Sequence, residues 1–167
     1  MHTTTIASPL GPLHLAASGA GLTRCTLRTI RPATHPDEPG APAWVDLARR
    51  ELDAYFAGEL REFTVPVDLS RVGQPHRRIL DALSSIGYGQ TTTYGALAAQ
   101  LGLVDDGPRT VGGAMARNPV LIIVPCQRVL GAGGRLTGYA GGLPAKRHLL
   151  DLEAQHVEAQ ARLALAW

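Results

Sequence analysis

Hydrophobic and polar positions alternate in three short bursts near the start of the chain, Thr4–Ile6, Leu13–Ala16 and Leu22–Leu27. Turn-forming stretches, Ser8-Pro9-Leu10-Gly11-Pro12 and Ser18-Gly19-Ala20-Gly21, separate them, so the pattern predicts a small antiparallel meander. Arg31 to Ala43 is rich in proline and poor in large apolar groups, and is expected to form an exposed loop. Trp44, Leu47, Leu52, Tyr55 and Phe56 then recur near helical spacing, closed by Gly58, which predicts a helix covering the sheet. Phe63 to Leu69 alternates as a further strand, and Gly73-Gln74-Pro75 reads as a hinge into a second region.

That second region, residues 73–167 as against 1–72, is more helical. Ile79, Leu80, Leu83 and Ile86 form one stripe, predicting a buried helix over 77–86. Thr92 or Thr93 can cap a helix from Tyr94 to Leu101, and Gly102 ends it. A third helix, Arg109 to Ala116, follows Pro108, where a missing N–H costs little. Two short helices joined by a glycine-bearing turn outline a helix-turn-helix, although generic helix pairs share that outline. A last helix starts near Pro144, with Lys146, Leu149, Leu150 and Glu153 on one face, so that Glu153 is turned toward the core.

The most apolar run, Val120-Leu121-Ile122-Ile123-Val124, is expected to be a buried strand that Pro125 brings to a stop. It would deliver Cys126 to a strand tip, a rigid place from which a thiol can be aimed at a bound substrate. The glycine-rich stretches Gly131–Gly134 and Gly138–Gly142 would form a flexible loop beyond it, with Tyr139 as its one aromatic residue.

Composition narrows the picture. The 167 residues suffice for one good-sized domain or two small ones, and a 45% apolar content supports a core. The net charge of +2 says little about a polyanionic partner. Lys146 is the only lysine and every other cation is arginine, which suits bidentate phosphate contacts. A codon bias toward arginine and alanine accounts for the same pattern. Nothing at the N-terminus resembles a secretory signal, no stretch has membrane-spanning length, and no Cys/His cluster has zinc spacing. A reducing cytoplasm with both cysteines free, no membrane contact, no metal and no cofactor are the expectations. Cys25, within the meander, reads as a small core hydrophobe.

The helix over 109–116 carries a sharper clue. Arg109, Gly112, Gly113 and Ala116 share one face, opposite Val111, Ala114 and Met115. Two helical glycines cost roughly 1 kcal/mol each relative to alanine, so so bare a face implies a close approach, either by a neighbouring helix or by an outside partner. Arg109 at the head of that face favours an anionic backbone such as DNA.

These residues resemble the O6-alkylguanine-DNA alkyltransferases, also called methylated-DNA-protein-cysteine methyltransferases. The resemblance is carried by Gly89-Gln90-Thr91-Thr92-Thr93-Tyr94-Gly95-Ala96-Leu97-Ala98, Arg109 to Met115, Asn118-Pro119, Pro125-Cys126-Gln127-Arg128-Val129 and Gly138-Tyr139-Ala140-Gly141-Gly142-Leu143. In the first half it extends to Ser8–Leu13 and Leu52–Gly58, so nearly the whole chain is covered. It implies an α/β chain of the α+β kind: a small N-terminal antiparallel sheet with a helix, ribonuclease H-like, then a mostly helical, winged helix-turn-helix-like domain. It also implies a monomer that binds double-stranded DNA containing O6-alkylguanine, with O4-alkylthymine as a second candidate lesion.

In that family the nucleotide is flipped through the minor groove and its alkyl group passes irreversibly to the cysteine. By match, Arg109 would fill the vacated stack and Tyr94 would push the neighbouring phosphate and touch the base. Gly112 and Gly113 would allow close approach, Tyr139 and Ala140 would wall the pocket, and the carbonyls of Cys126 and Val129 would accept from the guanine amine. Asn118 would tie the site's turns together and Glu153 would hold the residue after the cysteine.

That residue is the main departure, since the family's usual histidine is here Gln127. Glutamine can hydrogen-bond but cannot relay a proton, and general-base help is typically worth about 10²–10⁴-fold. Gly87, where the family more often has proline, is a lesser departure. Arg128 reads as structural and His148 as a surface residue. Two other readings stand beside transfer: a lesion sensor with weak or no transfer, whose known members lack the cysteine, and a helix-turn-helix regulator using Cys126 as a sensor.

Overall fold

The computed structural model describes residues 1–30 and 39–165, so the expected loop over 31–43 lies outside the described residues from 31 to 38. The meander forms as its alternation predicts. Strands β1 (His2–Ile6), β2 (Leu13–Ser18) and β3 (Gly21–Thr26) pair antiparallel in that order, with Leu15 opposite both Thr4 and Cys25. Leu13, Leu15, Leu22 and Cys25 are fully buried beneath helix α1 (Ala41–Phe56), which contributes Val45, Ala48, Leu52 and Tyr55. The helix begins three residues before Trp44, because Pro42 fits its first turn.

Phe63 to Leu69 is not a strand. Only Val67 makes a bridge, parallel to Leu22, with the Leu22 amide donating to the Pro66 carbonyl and the Asp68 amide to that of Leu22. Two features divert this segment. Pro66 has no N–H to offer a ladder, and the buried Glu51 carboxylate accepts the amides of Thr64 and Val65, each at 3.0 Å, together with the Thr64 hydroxyl. A side chain of α1 thus replaces a neighbouring strand.

Beyond it, α2 (His76–Ala82) continues as a single 3-10 turn, Leu83–Ser85. Helix α3 (Tyr94–Gln100) starts at Thr93, whose hydroxyl accepts the Ala96 amide as the capping argument requires. Helix α4 (Gly107–Ala116) packs on α2 and α3, burying Val111, Ala114 and Met115, and α5 (Leu143–Leu165) closes the described chain. Two-residue strands β4 (Thr92–Thr93) and β5 (Val129–Leu130), which the sequence pattern did not signal, pair in parallel.

The apolar run over 120–124 is buried, but it is a turn and not a strand. Asn118 Oδ1 accepts the Val120 amide, and Val120 bridges Cys25 of β3, whose backbone accepts from Leu121 and donates to the Pro119 carbonyl. Pairing ends there. Ile122 takes φ 73°, a left-handed conformation unfavourable for a β-branched residue, and the Val124 amide returns to the Val120 carbonyl. The side chains stay in the core while the backbone folds back on itself, so Cys126 leaves a tight buried loop and not a strand tip.

Replacing Glu51 by alanine strands two amides without a partner and is expected to cost about 2 kcal/mol, or roughly 4–8 °C in melting temperature. Thermal denaturation of Glu51→Ala tests this; an unchanged midpoint would show that water serves the two amides equally well.

Candidate active site

Cys126, Gln127 and Arg128 make one 3-10 turn between the buried loop and β5. The thiol is 2% exposed and sits on the wall of a cleft of about 770 Å³. Tyr94 from the start of α3, Gly112 and Met115 from α4, and Tyr139 and Ala140 from the glycine-rich loop line the same cleft. The β4–β5 pairing explains the first of these contacts, since it sets the residues before Tyr94 beside those after the cysteine turn.

Asn118 meets the thiol directly. Its Nδ2 donates to Cys126 Sγ at 3.1 Å and to the Val124 carbonyl at 2.9 Å. Burial pushes the Cys126 thiol up to about 11, against the opposing pull of the Asn118 hydrogen bond and the Lys146 charge. An uncharged thiol is therefore the resting form at neutral pH.

Behind the turn, Glu153 of α5 collects five hydrogen bonds although it is 1% exposed. Tyr55 Oη donates at 2.7 Å, the Gly89 amide at 2.9 Å, Gln127 Nε2 at 3.3 Å, and Arg128 through Nε at 2.9 Å and a terminal nitrogen at 3.1 Å. The other Arg128 nitrogen donates to the Ile86 carbonyl at 2.6 Å, in keeping with the structural role its sequence position suggested. Gly89 is required at its place: it has φ 72°, and a Cβ there would lie 2.6 Å from Val157.

Gln127 thus faces Glu153 and the Ile122 carbonyl, at 3.4 Å, and none of its hydrogen bonds reaches Cys126. Its Oε1 is buried with no partner, as is Tyr139 Oη on the cleft wall. Turning the amide over would set Oε1 against two acceptors, so the donor face of Gln127 is fixed toward Glu153.

Lys146 is a participant to which sequence reasoning gave no role. Its ammonium is enclosed and donates to the carbonyls of Val129, Thr137 and Gly138 at 2.6, 2.9 and 3.2 Å. Desolvation lowers its pKa while the nearby Cys126 raises it. It ties the loop bearing Tyr139 to the residue that follows the cysteine turn, and Tyr94 Oη donates to the same Thr137 carbonyl at 3.3 Å. A lone lysine on an inward helix stripe was the available signal.

Arg109 is not brought to the cleft. It stands exposed at the start of α4, paired at 3.1 Å with Asp106. A methyl group on Gly112 would meet no atom within 4 Å, and one on Gly113 would meet mainly the end of Arg117. Nothing inside the protein packs against Gly112, which removes the neighbouring-helix explanation of that bare face. Among the described residues no group of three or more His, Cys, Asp or Glu could hold a metal ion, and no helix is long and apolar enough to cross a membrane.

Cys126, Tyr94 and Tyr139 all lie within a stretch that matches a known protein family. The model of the 6-O-methylguanine DNA methyltransferase DNA-binding domain matches residues 74–155, and that of its ribonuclease-like domain matches residues 1–69. The chain belongs to the methylated-DNA–protein-cysteine methyltransferase family.

It is 46% identical to the methyltransferase of Mycobacterium bovis over 98% of each chain, and 42% identical to that of Methanosarcina acetivorans over 92% of this chain and 98% of the other. A DNA base-flipping protein of Thermus thermophilus is 38% identical over 87% of this chain and 95% of its own. The crystal structure of Mycobacterium tuberculosis OGT in complex with DNA superposes with a TM-score of 0.82 at 46% identity, over 93% of this chain and 94% of that one. The α+β architecture expected from sequence is therefore that of the family.

Because no internal contact needs a glycine at 112, Gly112→Ala is expected to stabilise the fold by up to about 1 kcal/mol. Denaturant titration reads this out, and a loss of stability would show that the α4 face is internally packed after all.

Proposed function

We propose that this protein repairs DNA by direct, stoichiometric and irreversible transfer of an alkyl group from O6 of guanine to Cys126. The observation that carries the reading is the Cys126 thiol on the wall of a cleft between Tyr94, Tyr139 and the bare face of α4. The sulfur forms a bond to the alkyl carbon as the carbon–O6 bond breaks, the thiol proton passes to the departing guanine, and the thioether that remains cannot turn over. The target atom lies within the duplex, so the nucleotide must be flipped into the cleft through the minor groove.

Asn118 supports the developing thiolate through its Sγ contact, and Lys146 places a positive charge near it. Tyr94 touches the flipped base and steers its phosphate, Tyr139 and Ala140 wall the pocket, and Gly112 and Gly113 let the groove come close. Arg109 is free of the core to enter the vacated stack, at the cost of only a surface ion pair. The carbonyls of Cys126 and of Val129, which also accepts from Lys146, take the guanine amine. Gln127 and Glu153 act from behind by fixing the turn. Residues 1–72 serve as a buttress and 73–167 as the DNA-binding and acceptor unit of a cytoplasmic monomer.

Incubation with duplex DNA containing O6-methylguanine should add the mass of one methyl group to Cys126 and none to Cys126→Ser. An unchanged mass with binding retained would replace transfer by lesion sensing. The rate should also carry the signature of an unassisted thiol. With ionisation centred at about 11, the single-turnover rate should rise about tenfold per pH unit between pH 7 and 9. Gln127→His restores a general base beside the turn, and should raise the rate at pH 7 by roughly 10²-fold and flatten that rise. An equal or slower rate in stopped-flow measurement would mean that proton transfer does not limit the reaction.

A further inference from the structure

A second groove, of about 390 Å³, runs beside the acceptor cleft and shares Arg28, Ala116 and Ala140 with it. Four exposed arginines converge on it from separate elements: Arg24 on β3, Arg28 just beyond that strand, Arg71 after the Asp68 turn, and Arg117 at the end of α4. Among the described residues none of the four is in an ion pair. Arg117 alone has a side-chain partner, the Gly113 carbonyl at 3.0 Å, which holds its guanidinium close to the α4 face. The one acid in the groove, Asp68, accepts from the Ser18 hydroxyl at 2.6 Å and the Ser70 amide at 2.9 Å, and these bonds, with a smaller contribution from the Arg71 charge, hold its carboxyl below the usual range.

Four guanidiniums around one concavity with a single carboxylate among them leave it with an excess of positive charge, and each offers a planar fork of donors that matches phosphate oxygens. The whole chain carries a net charge of only +2, so this concentration is local and does not reflect a generally basic surface. Its position gives it a direction, because the two concavities meet at Arg28, Ala116 and Ala140 and so offer one continuous path to a strand whose nucleotide enters the acceptor cleft.

We propose that the Arg24–Arg28–Arg71–Arg117 groove binds the phosphodiester backbone of the DNA strand that carries the flipped nucleotide, making the N-terminal sheet part of the DNA-binding surface. The inference rests on the DNA reading above and extends it from the end of α4 onto the N-terminal sheet. Each neutralised phosphate contributes about 0.9 to the slope of log affinity against log salt.

The test is anisotropy titration of an unmodified labelled duplex between 50 and 200 mM salt, the range over which such contacts are read. The triple variant Arg24→Gln/Arg71→Gln/Arg117→Gln should lower the salt slope by about 2 to 3 and weaken binding at least tenfold, while alkylation of Cys126 by free O6-benzylguanine base keeps its wild-type rate. Lysine at the same three positions should preserve most of the slope. An unchanged slope in the glutamine variant overturns the proposal, as does a parallel loss of free-base alkylation, which would assign the arginines to the fold. A wild-type protein that shows the slope but takes no methyl group from damaged duplex would overturn the transfer reading and leave the groove standing.

Discussion

The structure depends on one buried carboxylate. Glu153 projects from helix α5 to the point where the Gly89 turn, helix α1 and the cysteine turn converge, and each of those three sends it a hydrogen-bond donor. A carboxylate taken out of water in this way is costly unless nearly every lone pair is matched, and a bidentate arginine plus three further donors meets that condition. The consequence is mutual dependence. Tyr55 in the first half of the chain and Arg128 in the second are held by the same two oxygens, so the turn that carries Cys126 is located by residues 98 and 25 positions from Glu153. A reactive thiol needs such a frame, because a 3-10 turn of three residues has little rigidity of its own.

A second constraint works from the other side. The Val120 loop hooks onto Cys25 of the sheet and then reverses through a left-handed Ile122. Strain of that kind persists only where the surroundings over-determine it, and here the surroundings are fully buried apolar side chains together with the three contacts of Asn118. Asn118 therefore has two connected tasks: it shapes the loop and it meets the sulfur that the loop delivers. Lys146 is built on the same plan, fastening the Tyr139 loop to the Val129 carbonyl while placing charge near the thiol. Positioning and electrostatics are carried by the same side chains, so the two cannot be separated by any single substitution.

What was legible in the sequence follows from which forces are local. The amphipathic stripes of α1, α4 and α5, the Thr93 cap and the alternation of the meander are set by neighbours within a few residues, and each was readable from spacing. The runs at 63–69 and 120–124 were misread as strands because a short apolar segment has the same pattern whether it is paired or merely buried. What decides between them is a partner far away in sequence: the Glu51 carboxylate for the first, Cys25 and Asn118 for the second. The motif residues around Cys126 were recognisable, whereas the role of Lys146 was not, since its partners are three backbone carbonyls that leave no trace in residue type. The same holds for Arg28, whose place between cleft and groove is a property of the tertiary fold alone.

Gln127 is best understood through Glu153. In a buried cluster already neutralised by Arg128, a proton relay would need a neighbour able to gain and lose charge, and glutamine supplies only a fixed donor. The amide satisfies the carboxylate and braces the turn, but it leaves the thiol's ionisation to burial, Asn118 and Lys146. Burial is the largest of these and opposes the thiolate. The entering base then excludes water, so the contacts of Asn118 and Lys146 act in a drier medium, where electrostatic support is stronger. The same exclusion of water deepens the desolvation that opposes the thiolate, so the support given by Asn118 and Lys146 decides how readily the sulfur attacks.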